Sequence, residues 1–380
     1  MKTSALIDDL FEELVQRRIS RRDLSKRLAA LGLSSTAVAA ALASPDINRG
    51  AVSAQDKPFS GQTIRVQFWS GPEGDNIQRN VVDPFVEETG AEVIVEYGFT
   101  SGSIAKVRAQ AADPKLDVVL MDDVGVLAVA PENLLQTLDL EKIPNAANVD
   151  ERFIVADAKG IGFFTYVDTL LYNTAAYQSP PTTWRDLWAE QLRSKAAVPT
   201  SNQTPALHMI IAAAILAGGD QFNPDPGFAL LEELRPNIRV LAENASQIAE
   251  LMRNGDIELL SWTSYIFRDY MQDGYPIENT FALEEGVFAT PACACIPEGH
   301  PGPQEVAEAF VNKTLEPRAQ EGMAEGLWFG PTNSEAVIPP ETAKRVITFD
   351  QLESTIPVDL EHLLSVRQDW ITRYDRALIG

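Results

Sequence analysis

The chain has 380 residues, of which 45% are hydrophobic and 22% charged, a composition typical of a globular protein long enough for two domains. Its formal net charge of −23 excludes nucleic acid and anionic lipid as main partners, because both are negatively charged and would repel it.

Two cysteines, Cys293 and Cys295, are separated by one residue. In a strand they would lie on one face about 7 Å apart, too far for a disulfide, so we expect two buried thiols.

The first 54 residues have the features of an export signal. The arginine pair Arg21-Arg22 precedes an apolar run from Leu28 to Ala43 and the small residues Val52-Ser53-Ala54. This order is typical of a secretory signal, and the arginine pair favours the twin-arginine route with cleavage after Ala54. The apolar run is shorter than the roughly 20 residues that span a bilayer. We therefore predict a periplasmic mature protein, with the amphipathic stretch 3–16 as part of the signal.

Strands and helices alternate in the segment after the signal. Thr63 to Trp69 alternates apolar and polar residues, Asn76 to Thr89 has helical periodicity, and Ala91 to Tyr97 alternates again. A helix from Ile104 to Ala112 follows. The nearly uniformly apolar run Leu116 to Met121 is then typical of a buried parallel strand. This order predicts a doubly wound parallel sheet.

The remainder of the chain continues with helices and short strands. The predicted elements are a capped helix start at Thr182, a strand Ala196–Pro199, a buried helix ending at Leu216, helices Phe228–Leu234 and Ser246–Met252, strands Ile257–Leu260, Phe281–Leu283 and Val287–Ile296, and helices Val306–Asn312, Ala319–Gly326 and Leu360–Ala377. No low-complexity linker separates them, so we expect two αβ units joined by ordered strands. The predicted boundaries are 55–165 plus 287–330 for one lobe and 166–286 plus 331–380 for the other.

Aromatic and small polar residues at strand ends are the first candidates for a binding site, because ligands in open α/β sheets lie beyond the carboxyl ends of strands. Trp69 and Trp262 both end predicted strands and could sandwich a ligand, or both could belong to the core. Ser101, Gly102 and Ser103 open a predicted helix, whose N-terminus could hold a carboxylate or phosphonate.

Paired acids are the second group of candidates. Asp122 and Asp123 follow the third strand, and Glu284-Glu285 interrupts the chain between two later strands. Neighbouring acids can share a proton or hold a cation, although such pairs are more often solvated loop charges.

Catalytic and metal-binding signatures are missing from the sequence. It contains no G-x-S-x-G, no H-E-x-x-H, no P-loop and no G-x-G-x-x-G after a strand. His208, His300 and His362 have no apparent partners, so each is interpreted as structural or exposed. None of them is near the cysteines in sequence, and we therefore expect neither a metal site nor a cofactor.

Over nearly all of residues 60–375, the chain resembles bacterial periplasmic solute-binding proteins of the spermidine/putrescine-binding type. The matching residues are, in chain order, Phe68-Trp69-Ser70, Phe85 to Gly90, Asp117-Val118-Val119, Leu171 to Thr174, Thr183 to Trp188, Trp262, Glu285-Gly286 and Pro331-Thr332-Asn333. The resemblance implies a two-lobed α/β fold of the type II periplasmic-binding-protein kind, each lobe a mainly parallel sheet flanked by helices. It also implies a monomer without enzymatic activity that delivers a ligand from its cleft to a membrane ABC permease.

The resemblance implies the aromatic residues of a binding site, but the acidic residues of the family's site are replaced in this sequence. It implies aromatic walls from Trp69, Trp262 and Phe329, the last where the family often has Tyr, and further candidates are Ser70, Tyr265 and Glu285. The amine-binding acids of the family are replaced by Pro205, Tyr265 and Ala292, and Met121 and Asp123 stand where the family usually has Ser and Tyr.

From these departures we predict a small polar, amine-containing ligand with one cationic end. Asp122 or Asp123 would receive the amine, Trp69 would cover the aliphatic middle, and the Ser101–Ser103 segment would receive a neutral or anionic end. Putrescine and spermidine are then expected to bind more weakly than an amino acid derivative.

Two other classes of function stay open at this point. A secreted hydrolase or lyase could use Asp122-Asp123 or Glu284-Glu285, and would be recognised by turnover of a substrate. A structural adaptor would show no ligand-dependent change.

Overall fold

The computed structural model describes residues 57–380. Residues 62–87 and 91–380 form one compact unit, and residues 1–61 with 88–90 form another, of which only 57–61 and 88–90 are described. In this smaller unit the amide of Phe59 donates to the carbonyl oxygen of Thr89 at 2.9 Å. The predicted export signal, its arginine pair and the cleavage after Ala54 lie outside the described residues.

A ten-stranded mixed sheet is the framework of the larger unit. Its strands are β1 (Thr63–Phe68), β2 (Glu92–Tyr97), β3 (Val118–Asp122), β4 (Ile154–Val155), β5 (Gly160–Asn173), β6 (Ala196–Pro199), β7 (Ile238–Ala242), β8 (Leu259–Thr263), β9 (Ile277–Thr280) and β10 (Phe288–Cys295). Their order across the sheet is β2-β1-β3-β10-β5-β8-β6-β7, and β4 and β9 each pair with β5.

The sheet is parallel toward both edges and antiparallel in the middle. β1 pairs in parallel with β2 and β3, and β6 pairs in parallel with β7 and β8. Between these groups, β10 is antiparallel to β3 and β5, and β5 is antiparallel to β8 and β9. The predicted parallel sheet therefore consists of two parallel groups, which β5 and β10 connect as ordered strands.

Helices flank the sheet along the whole chain. They are α1 (Pro72–Ile77), α2 (Asp83–Thr89), α3 (Thr100–Ala109), α4 (Asp123–Val129), α5 (Thr204–Leu216), α6 (Asp225–Leu234), α7 (Ala245–Arg253), α8 (Arg268–Gln272), α9 (Gln304–Thr314), α10 (Pro317–Leu327), α11 (Pro340–Ala343) and α12 (Leu360–Ile379). A π-helical segment, Gln78–Val82, joins α1 to α2. Short 3₁₀ helices occur at Ala130–Glu132, Leu140–Lys142, Pro144–Asn148, Glu151–Phe153, Trp184–Trp188, Glu190–Leu192, Arg235–Asn237, Ser264–Phe267 and Phe349–Ser354.

Two helix starts differ from the sequence-based boundaries. The first helix begins at Pro72 rather than Asn76, because Gly71 takes a left-handed φ of 78° that ends the preceding loop and Pro72 has the φ of a first helical residue. The segment after β3, to which the sequence analysis assigned no element, is helix α4. Asp123 is the first residue of this helix.

Three strand assignments also required correction. β8 covers Leu259–Thr263 rather than Ile257–Leu260, so Trp262 lies within the strand. The strand predicted at Phe281–Leu283 is instead β9 at Ile277–Thr280, where the chain pairs with β5 from Leu170 to Asn173. The sequence analysis missed β7, although its residues Ile238–Ala242 contain the β-branched and apolar residues of a strand.

The core follows the expected burial pattern. Every residue of β8 is buried, and in α5 all residues from Pro205 to Ala214 are buried. α5 packs against α6 and α12, which explains why it lacks a polar face.

The prediction of two buried thiols is confirmed, since Cys293 and Cys295 are unpaired and inaccessible. In the described part of the chain, no helix is both long and apolar enough to cross a membrane.

Candidate functional site

A cleft of about 270 Å³ lies beyond the carboxyl ends of the parallel strands. β1, β2, β3, β6 and β8 all end at it, which is where open α/β sheets hold ligands. The lining residues are Trp69, Glu73, Phe99, Asp122, Phe164, Tyr166, Gln203, Thr204, Pro205, Trp262, Thr263, Tyr265, Ile266 and Phe329. Five of the residues predicted for the site therefore line one cleft, namely Trp69, Asp122, Trp262, Tyr265 and Phe329.

Aromatic rings form a connected wall of this cleft. Phe164 and Phe329 are stacked, with centroids 4.0 Å apart and ring planes 3° from parallel. Trp69 contacts Phe164 at 6.2 Å between centroids, and Tyr265 contacts Phe329 at 5.0 Å and Tyr166 at 6.2 Å. Such ring faces attract an organic cation through their electron density.

Phe164 and Tyr166 were missed by the sequence analysis. They stand two positions apart in β5, so a strand directs both side chains to one face. The alternation was present in the sequence, but the adjacent Phe163 and the glycines of this segment obscured it.

Trp262 combines the two roles that the sequence left open. Its side chain is buried, and its ring contacts Phe267 at 5.8 Å within a core cluster beside β8. Part of it also lines the cleft. Replacing Trp262 would thus change the core and the cleft together.

Two carboxylates line the cleft, each hydrogen-bonded to a tyrosine. Asp122 accepts from the hydroxyl of Thr100 at 2.6 Å and from the hydroxyl of Tyr166 at 3.4 Å. Glu73 accepts from the hydroxyl of Tyr265 at 3.2 Å. No lysine, arginine or histidine is among the lining residues of this cleft, so the ionisable groups here favour a positively charged ligand.

Burial governs the protonation of these groups. It raises the pKa of Asp122 above the usual value, and the hydrogen bonds from Thr100 and Tyr166 offset part of the rise. Burial and nearby carboxylates hold the pKa of Tyr166 and Tyr265 well above the usual range. Both phenols therefore keep their protons and remain hydrogen-bond donors.

Glu73 is a second residue that sequence reasoning missed. The sequence-based helix began at Asn76, whereas α1 begins at Pro72 and places Glu73 in the first helical turn. Proline at a helix start followed by an acid is the local signal that could have found the helix. No local signal shows that the side chain reaches Tyr265, which is 192 residues away in sequence.

The serine segment lies outside the cleft lining. Ser101 and Gly102 are exposed in the first turn of α3, while Ser103 is buried with its hydroxyl donating to the carbonyl oxygen of Phe99 at 3.3 Å. Ser70 is also exposed and outside the lining. The expectation that the Ser101–Ser103 segment holds an anionic ligand end gains no support from this placement, because Phe99 is the residue of this turn that reaches the cleft.

Glu285 has a structural role at another place. Its carboxylate accepts from the hydroxyl of Thr183 at 2.5 Å and from the amide of Trp184 at 3.1 Å. These bonds fix the start of the 3₁₀ helix Trp184–Trp188. Its neighbour Glu284 is exposed. The acid pair therefore does not take part in the cleft.

Asp123 is buried and faces a different cavity from its neighbour Asp122. One of its oxygens accepts from the amide of Val124 at 2.6 Å. Burial, and secondarily the charge of Asp122, raise the pKa of Asp123 to about 8.

The positions where the resemblance implies acids surround Asp122. Pro205 and Tyr265 line the cleft, and Ala292 is buried opposite Asp122 in the β3–β10 register. The positions implied by the resemblance therefore line or border the cleft, but its two carboxylates come from Asp122 and Glu73.

The expectation that the histidines have no partners was wrong. Nδ1 of His208 lies 2.7 Å from Oδ2 of Asp168, and Nδ1 of His300 lies 3.1 Å from Oδ1 of Asp117. Nε2 of His362 lies 2.9 Å from the carbonyl oxygen of Gln221. Within residues 57–380, no group of three or more His, Cys, Asp or Glu side chains could hold a metal ion.

Comparison with known proteins identifies the family to which the chain is similar. Residues 80–349 match the family described as bacterial extracellular solute-binding protein. The spermidine/putrescine-binding periplasmic protein 1 of Haemophilus influenzae is 23% identical over 82% of this chain and 86% of its own length. A putative 2-aminoethylphosphonate-binding periplasmic protein of Salmonella typhimurium is 21% identical over 69% of this chain and 76% of its own length.

The solved structures agree with this assignment at the level of the fold. An ABC transporter structure from Clostridium perfringens superposes with a TM-score of 0.74 at 24% identity, over 83% of this chain and 99% of that one. The predicted fold class, a two-lobed α/β periplasmic-binding-protein fold, is confirmed. The matched region covers well over half of the sequence, and so the chain belongs to the family of bacterial extracellular solute-binding proteins.

Proposed function

We propose that the chain is the periplasmic substrate-binding component of an ABC importer and that its cleft captures a small organic cation with amine groups. The observation that carries the proposal is the cleft lining, which has two carboxylates, Asp122 and Glu73, and no basic side chain. A buried ammonium group needs such carboxylates, since its desolvation otherwise costs several kcal/mol.

The aromatic wall supports the same ligand class. Rings at Trp69, Phe164, Phe329 and Tyr265 can cover an aliphatic chain and attract its charged ends. The ligands named for the two curated relatives, polyamines and 2-aminoethylphosphonate, share a primary amine. A ligand with an amine group therefore fits both the lining of the cleft and the ligands named for the relatives.

The two carboxylates change the expected ranking of ligands. The sequence analysis assigned the amine to Asp122 or Asp123 at one end of the site and did not include Glu73. With Glu73 in the lining, a diamine has one carboxylate available for each end. An anionic ligand end would meet these carboxylates without a compensating cation. We therefore propose a diamine or polyamine in preference to a zwitterion.

A calorimetric panel tests this proposal. Putrescine, spermidine, 4-aminobutyrate and 2-aminoethylphosphonate would be titrated into the mature protein and into the Asp122→Asn and Glu73→Gln variants. We expect a polyamine to bind most tightly, and each variant to weaken its binding by about 2 kcal/mol or more, as loss of a buried charge partner does. For a ligand with a single amine, only one of the two variants should have this effect.

The outcomes separate the ligand classes. Tighter binding of both zwitterions than of either polyamine would overturn the polyamine assignment and would require an anion site. Unchanged affinity in both variants would place the ligand outside this cleft. The matched control is Glu284→Gln, which removes an exposed charge away from the cleft. NMR spectra of the recovered ligand should show it unchanged, because we propose binding and release without chemical conversion.

A further inference from the structure

A second cavity, of about 290 Å³, shares no lining residue with the cleft. Ala289, Thr290 and Pro291 of β10 line it, and Thr290 is the register partner of Tyr166 in β5. Side chains alternate along a strand, so Ala289 and Pro291 point to the face opposite to Tyr166 and to the cleft. We call this space the rear cavity.

Most of the rear cavity wall is apolar. Phe153 and Val155 come from the segment before β5, and Ile356, Pro357 and Val358 come from the segment before α12. A dry apolar cavity of about 150 Å³ is large enough to bind benzene. The rear cavity therefore has room for a ring or a short alkyl chain together with a polar group.

Asp123 is the polar group in the rear cavity whose interactions are incomplete. Its side chain is 2% exposed, and its Oδ1 accepts only the amide of the next residue, Val124, at 2.6 Å. Its Oδ2 has no hydrogen-bond partner among residues 57–380. A buried carboxylate that accepts a single hydrogen bond is poorly stabilised in its charged form, and a bound cation would stabilise it.

The other ionisable side chains of the rear cavity already have partners. Arg152 donates to both oxygens of Asp150, at 2.9 and 2.8 Å, and to the carbonyl oxygen of Leu352 at 2.6 Å. His208 is held by Asp168 at 2.7 Å. Asp123 is thus the carboxyl group lining this cavity that lacks a cation. The negative net charge of the chain, −23, adds a field that attracts cations and repels anions.

We propose that the rear cavity is a second ligand site, which binds a small primary amine with an apolar body. The ammonium group would donate to Oδ2 of Asp123, and the apolar body would pack against Phe153, Val155 and Ile356. This site is independent of the ligand proposed for the cleft.

The pH dependence of binding follows from the surroundings of Asp123. Its pKa, raised to about 8, means that an ammonium ion must displace a proton below that pH. Among its titratable neighbours, Asp122 faces the cleft, Arg152 and His208 are paired, and Cys293 stays a thiol because burial raises its pKa well above the usual range. The affinity for an amine should therefore rise about tenfold per pH unit up to about pH 8.

Benzylamine is a suitable probe, measured by calorimetry on the mature chain carrying Asp122→Asn and Glu73→Gln, which disable the cleft. We expect binding at one site, with affinity that rises with pH. The rise should end below pH 8 in this background, because Asp122→Asn removes a charge that raises the pKa of Asp123. Adding Asp123→Asn, which keeps the shape but removes the charge, should reduce the affinity at least tenfold. Ala289→Leu should do the same by filling the cavity, and it serves if the Asp123 variant fails to fold.

Neutral and anionic analogues complete the experiment. Benzyl alcohol should bind at least tenfold more weakly than benzylamine, and benzoate should not bind. A crystal grown with 4-bromobenzylamine should show the anomalous bromine signal inside the rear cavity. Benzylamine binding that neither Asp123→Asn nor Ala289→Leu changes, absence of binding, or a bromine signal only elsewhere would each overturn the proposal.

Discussion

Asp122 and Asp123 are adjacent in sequence but take part in different cavities. Asp122 is the last residue of β3 and accepts hydrogen bonds from Thr100 and Tyr166 beside the cleft. Asp123 is the first residue of α4 and lines the rear cavity. The change from strand to helix between them separates the two carboxyl groups, so they line two different cavities.

Asp123 should make the stability of the protein depend on pH. Its pKa is raised from 3.8 to about 8, so the folded state holds a proton that the unfolded state releases. Its favourable contribution is complete below about pH 4 and is lost as the pH rises toward 8. Each pH unit in this window should lower the free energy of unfolding by up to about 1.4 kcal/mol.

Urea unfolding between pH 5 and 8, comparing the wild type with Asp123→Asn, measures this effect. The variant cannot ionise at this position, so its stability should fall less steeply with pH than that of the wild type. Parallel pH profiles for the two proteins would contradict the protonation of Asp123. Glu284→Gln, at an exposed position, is the matched control and should leave the profile unchanged.

At the scale of elements, the contact between α5 and α6 depends on a glycine. A Cβ atom at Gly227 would lie 2.5 Å from the backbone nitrogen and 2.7 Å from the Cα of Ala214. Backbone atoms within a buried helix cannot move aside cheaply, so the two helices would have to separate. Only glycine at position 227 lets α6 pack this closely against α5.

We expect Gly227→Ala to lower the free energy of unfolding by about 1–3 kcal/mol, the usual cost of overpacking a core. The control is Gly102→Ala in α3, where a Cβ would meet nothing within 4 Å. There alanine should stabilise the protein by about 0.5–1 kcal/mol through its helix propensity. Thermal unfolding of both variants checks the pair, and equal effects at the two positions would contradict the packing argument.

At the scale of the whole molecule, one sheet continues through both parallel groups of strands. β5 pairs with β10 along Ile161–Asp168 and with β8 along Asp168–Tyr172, so its partner changes near Asp168. The lobe boundaries, 55–165 plus 287–330 and 166–286 plus 331–380, remain a prediction. The change of partner lies close to the boundary proposed after residue 165 and is consistent with it.

Export is the remaining prediction about the whole molecule, and it rests on the sequence alone. We expect the precursor to reach the periplasm through the twin-arginine route and to be cleaved after Ala54. Replacing Arg21 and Arg22 with lysine should retain the precursor in the cytoplasm, which cell fractionation would detect. Undiminished export of that variant would reject the twin-arginine route but not secretion itself.

Features that depend on neighbouring residues could be predicted from the amino-acid pattern alone. Apolar periodicity located β1, β2, β3 and most helices. The spacing of Cys293 and Cys295 excluded a disulfide. Residues typical of the family, in the family's order, identified the fold class. Trp69, Asp122, Tyr265 and Phe329 were also found, because strand ends and family positions are local signals.

Contacts between side chains that are distant in sequence could not be predicted from local patterns. Glu73 reaches Tyr265, His208 reaches Asp168, and Tyr166 reaches Asp122, over separations of 192, 40 and 44 residues. Local patterns describe the few residues of a helical turn or a strand, whereas these contacts depend on how the strands order themselves in the sheet. The same packing separates Asp122 from Asp123 into two cavities, because one backbone turn at the end of β3 directs adjacent residues to different spaces.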